Sequence, residues 1–107
     1  MRPAAFLLAL SLGTFGLVQA ATVDDVTALE WLESSIGGRM EHVLAAMYVL
    51  EQHGVRFQKS PYDYHDALED VIRRDPSLYG TGIRQILANY LYQHEPEAKK
   101  PLDELRV

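Results

Sequence analysis

The stretch at residues 39–53, Arg-Met-Glu-His-Val-Leu-Ala-Ala-Met-Tyr-Val-Leu-Glu-Gln-His, is the feature around which the rest of this chain has to be arranged. Met40, Val43, Leu44, Met47 and Leu50 recur at helical spacing and make one apolar face, with Glu41, Glu51 and Gln52 largely on the other. Gly54 follows the last periodic residue, where a glycine supplies the left-handed cap, and His53 suits the negative end of the helix dipole. This predicts a helix with a buried stripe. On that reading Leu44→Ala removes a core side chain and costs roughly 2–5 kcal/mol.

The flanking sequence supplies partners of the same kind. Thr22 can cap a first helix with Asp25 reaching back, and Val26, Leu29 and Leu32 form its apolar side with Trp31 beside them. That helix runs to Glu33 or Ser34, where Ser34, Ser35, Gly37 and Gly38 interrupt good helix formers and predict a turn or sharp kink. The apolar spacing at Leu29, Leu32, Ile36, Met40, Val43 and Met47 keeps its phase, so an unbroken helix over 22–53 is the alternative. Val55 and Phe57 then reach for the core from a short connector.

Ser60, Pro61 and Asp63 make a helix start: serine caps, proline is tolerated in the first turn, and aspartate sits three residues after the cap. The third helix carries Tyr64, Ala67, Leu68, Val71 and Ile72 on one side and ends in Arg73-Arg74 before Asp75-Pro76. A fourth starts at Thr81 or Gly82, faces Ile83, Ile86, Leu87, Tyr90 and Leu91 inward, and closes near His94. No stretch alternates as a half-buried strand does. The predicted class is therefore all-α, a small four-helix domain over residues 21–94 made of two packed helix hairpins. From Glu95 onward Pro96, Pro101 and dense charge predict a loosely held tail over 95–107. Each half carries an Ala-Leu-Glu and ends in Gln-His, a weak sign of duplication, since amphipathic helices resemble one another by constraint.

The N-terminus predicts export. Arg2 precedes a run at residues 4–18 without charge, too short for a comfortable span, and Val18-Gln19-Ala20 supplies the small residues of a cleavage site. Residues 1–20 are thus expected to be a cleaved signal peptide, leaving a chain with no stable membrane insertion. There is no cysteine, which removes lipid anchoring, disulfides and thiolate metal sites together. The chain has 15 acidic residues against 10 basic ones, and cleavage takes Arg2 away as well. Scattered, outnumbered bases argue against a nucleic-acid groove. An acidic, cysteine-free exported chain fits a bacterial periplasm, or secretion.

No catalytic or cofactor motif stands out. His42, His53, His65 and His94 form no pair at metal spacing, and His65 with Glu69 one turn later is the nearest approach. No metal, cofactor or catalytic residue is assigned. Met40 and Met47 are in phase with the core stripe and read as gap-filling core. Tyr62-Asp63-Tyr64-His65-Asp66 is the most function-like stretch, and Tyr62, Tyr64, His65 and Asp66 are the candidate partner-binding residues, because tyrosine offers contact area with a polar tip. The expected function is docking on another exported or envelope protein, as an inhibitor, immunity factor, chaperone or accessory subunit. A small-ligand or metal carrier is the alternative.

Overall fold

The computed structural model describes residues 25–105, which form five α-helices and no strand. The expected signal peptide and the expected cap at Thr22 lie outside the described residues. Helix α1 spans Ala28–Leu32, α2 Ile36–Gln52, α3 Pro61–Arg74, α4 Ile83–His94 and α5 Lys99–Leu105, with 3₁₀ turns at Pro76–Leu78 and Pro96–Ala98. Helix α2 packs against α1, α3 and α4, and α4 also packs against α3 and α5.

Local chemistry sets most boundaries. Ser60 and Asp63 form a reciprocal capping box at the start of α3, with Pro61 in its first turn. Helix α2 ends in a full Schellman motif: Gly54 N–H donates to the Glu51 carbonyl at 3.0 Å and Val55 N–H to the Leu50 carbonyl at 3.2 Å. Gly54 has φ +95°, open to glycine and costly for any residue with a Cβ, and Val55 is buried beside the helix it terminates.

Helix α1 starts later than expected. Thr27, not Thr22, is its cap, and Thr27 closes a capping box with Glu30. Asp25 is engaged elsewhere: its Oδ1 accepts from Arg84 N–H at 3.1 Å. Helix α4 has Gly82 at its cap position and no side-chain cap of its own there, so the carboxylate of a residue 59 positions earlier caps it. Backbone bonds from Ala28 N–H to the Thr81 carbonyl (2.8 Å) and from Ile83 N–H to the Val26 carbonyl (2.9 Å) lay the two segments side by side. The helix break at Glu33 to Ser35 falls before the glycine pair: Ser35 caps α2, its hydroxyl accepts from Gly38 N–H at 3.1 Å, and both glycines sit in the first turn of α2.

Two expectations are corrected. Residues 96–105 are not a loose tail: Ala98, Leu102 and Leu105 are buried and close the core as a fifth helix. The second concerns α2, whose buried residues are Val43, Ala46 and Leu50, while Leu44 is 51% exposed. Residues 43–50 are apolar with hardly a break, so periodicity alone could not say which side faces in. Leu44→Ala is therefore expected to cost under about 1 kcal/mol, since half the side chain is already in water and alanine favours the helix. Leu50→Ala is expected to cost roughly 2–5 kcal/mol. Thermal melts of the two variants check this, and similar shifts for both would place Leu44 in the core after all.

Candidate functional site

The entrance of α3 divides the candidate residues between surface and core. Tyr62 is 70% exposed and Asp66 is exposed, whereas Tyr64 and His65 are buried. Tyr64 thus offers no surface to a partner and His65 little, and both make their contacts inside the fold. The helical period separates the exposed pair from the buried pair, which a reading of five adjacent residues passes over.

Tyr64 is a junction between three segments. Its hydroxyl donates to Glu95 Oε2 at 2.7 Å and accepts from the backbone N–H of Gln58 at 3.0 Å and of Lys59 at 3.1 Å. Its ring meets Phe57 edge-on at 5.5 Å. Burial and the bond to Glu95 push the phenol up to about 12. Glu95 is itself buried, and its Oε1 has no hydrogen-bond partner among the described residues.

His65 lies with its ring 5.2 Å from that of Trp31 and its Nδ1 2.9 Å from Asp66 Oδ1. His65, Asp66 and Glu69 bring three potential metal-ligand atoms within 4.8 Å of one another. Glu69, however, is held by two guanidinium groups, Arg39 at 3.3 Å and Arg73 at 2.9 Å. The Arg73 hydrogen bond is the largest influence on its carboxyl and, with the charges of Arg73 and Arg39, holds it below the usual range although burial pulls the other way. A cation entering here would face both arginines, and the cluster is better read as an ion-paired seam joining α2 to α3.

At the start of α4 the balance differs. Burial raises the Asp25 carboxyl despite the nearby Arg84 guanidinium, whose Nη2 lies 3.9 Å from Oδ2. This pair ties the segment before α1 to the buried start of α4.

Two surface features remain. One is a cleft of about 190 Å³ between the C-terminal part of α3, the 3₁₀ turn at Pro76–Leu78 and α4. Val71, Leu78 and Ile86 are among its apolar lining, Asn89, Gln93 and His94 add polar groups, and the His94 ring lies 4.5 Å from that of Tyr90. The other is the outer face of α2. The large exposed apolar residues among those described are Leu29, Ile36, Leu44, Tyr48 and Tyr62, and three of the five lie on α2. Ile36, Met40, Leu44 and Tyr48 follow one another at four-residue steps, and Met40 alone is partly covered. The sequence carried a sign of this: a helical stretch apolar all round, as residues 43–50 are, is either fully enclosed or presents a face to something else. No family model, curated protein or solved structure matches the chain.

Proposed function

We propose that this chain is a small exported, non-enzymatic protein that works by docking on another exported or envelope protein, with its leader removed before Ala21. The observation that carries the reading is the exposed apolar row on α2, in which Ile36 is 59%, Leu44 51% and Tyr48 63% exposed in a domain that otherwise has a closed core. A small acidic domain gains little by leaving such a row in water unless a partner covers it. In this reading α1 with α2 and α3 with α4 are two hairpins packed together, and Tyr62 and Asp66 add to the contact surface while Tyr64 and His65 hold the entrance of α3 from beneath.

A photo-crosslinking amino acid at Leu44 or at Tyr48, introduced into the full chain in its host, is expected to give a discrete protein adduct. The same group at Arg74, exposed at the C-terminal end of α3, is expected to give none. Equal adducts from all three positions, or none from α2, would overturn the reading. The second reading, a small-ligand carrier, is favoured only by the cleft beside Ile86, which suits a small neutral ring over Val71 and Leu78. Native mass spectrometry of protein taken from its own compartment separates the two, because a bound organic molecule and a bound polypeptide add different masses.

A further inference from the structure

We infer that the outer face of α2 receives a basic amphipathic helix, an inference that rests on the docking reading and gives the partner's chemistry. On a helix of 3.6 residues per turn, Leu44 and Tyr48 stand one above the other, and Glu41 and Glu51 flank them on opposite sides. All four are exposed. Ile36 and Met40 continue the row toward the N-terminus, making a ridge about 18 Å long. A ridge at four-residue steps fits the groove between the ridges of a second helix.

Charge selects which helix. Among the described residues neither Glu41 nor Glu51 has an ion-pair partner. The one Lys or Arg on α2 is Arg39, and it is turned inward: its guanidinium lies 5.6 Å over the Trp31 ring and 3.3 Å from Glu69. The face thus offers an apolar row between two unneutralised carboxylates, the complement of a helix with leucine-like residues along one stripe and Lys or Arg on either side. A second copy of this chain fits worse. Its face brings two further carboxylates to the contact and no Lys or Arg of α2 to neutralise them, because Arg39 is turned inward.

The test titrates three synthetic peptides of about 18 residues, long enough to cover about 27 Å as helices, into the ¹⁵N-labelled protein. One is a leucine–lysine amphipathic helix, one its leucine–glutamate counterpart, and one has the leucine–lysine composition with the helical spacing scrambled. The leucine–lysine helix is expected to bind at least about tenfold tighter than either control, with amide shifts concentrated in residues 36–52. Glu41→Lys with Glu51→Lys is expected to turn the preference toward the leucine–glutamate helix. Leu44→Ser with Tyr48→Ser is expected to weaken binding of the leucine–lysine helix by about tenfold or more. The charge-reversal pair is on the surface, so it leaves the core intact if the serine pair unfolds.

Equal binding of the scrambled peptide, shifts centred on another element, or self-association of the protein through Leu44 and Tyr48 would each overturn the inference. The two levels fail separately. Crosslinks at Leu44 and Tyr48 without a preference for the basic helix sink this inference alone, whereas loss of those crosslinks sinks the docking reading beneath it.

Discussion

Trp31→Ala is expected to remove a large share of the stability of the fold. Trp31 is fully buried, donates its indole N–H to the Arg39 carbonyl at 3.1 Å, and packs against both the His65 ring and the Arg39 guanidinium. It therefore joins α1 to both α2 and α3. Truncating a buried tryptophan costs roughly 3–5 kcal/mol. A domain of this size holds only about 4–12 kcal/mol in all, and loss of the ring also leaves the Arg39 guanidinium beside an apolar cavity. Trp31→Phe keeps a ring and loses the indole bond, so a smaller cost of about 1–3 kcal/mol is expected. Trp31 is the only tryptophan, so helicity and melting are followed by far-ultraviolet circular dichroism. A cooperative melt of Trp31→Ala within about 5 °C of the parent, equivalent to roughly 1 kcal/mol, would show that the core does not depend on this residue.

Tyr64→Phe is expected to cost roughly 2–4 kcal/mol, an unusually large effect for the loss of one oxygen atom. The ring and its contact with Phe57 stay. What goes is the donor to Glu95 Oε2 and the shared acceptor of two backbone N–H groups, at Gln58 and Lys59. The buried Glu95 carboxyl would then lack a partner on Oε2 as well as on Oε1. Replacing both residues, Tyr64→Phe with Glu95→Leu, is expected to cost less than the sum of the single changes, because the double variant strands no buried carboxyl. An additive cycle would refute the coupling.

The pH dependence of the same bond has a definite sign. The phenol sits at 10.0 when unperturbed and about 12 in the fold, so over that interval the native chain holds a proton that the unfolded chain has released. This contribution to stability is fully present below pH 10 and declines as pH rises toward 12. Alkaline denaturation profiles of the parent are expected to carry that decline, and those of Tyr64→Phe to lack it.

The two variants test the interior, and the α2 face is designed to be tested without disturbing it. Val43, Ala46 and Leu50 point to the core, while Leu44 and Tyr48 lie outside it on the same helix. Substitutions on the outer row can therefore report on docking, provided the melt of Leu44→Ala stays close to the parent.

Much of this architecture was legible from residues near one another in the chain. The capping box of Ser60 and Asp63, the Schellman stop at Gly54 and the break at Asp75-Pro76 are decided within a few residues by hydrogen bonds and backbone sterics, so α3, the end of α2 and the extent of α4 follow from the sequence. Most inward residues of α3 and α4 follow from their periodicity for the same reason, but His65, Arg84 and Ala88 are buried as well and Tyr90 is only half-buried. Other features depend on what the helices meet. An apolar run at residues 43–50 is compatible with several buried faces, and only packing against α1, α3 and α4 leaves Leu44 outside. Asp25 could cap its own helix in sequence, but the tertiary fold spends it on Arg84 N–H, 59 residues away, and Tyr64 finds Glu95 across 31. The charged residues after Glu95 suggested a loose end because each is polar by itself. Ala98, Leu102 and Leu105 become one buried face only when α4 is there to receive them, and it is that contact, not local propensity, that makes a fifth helix.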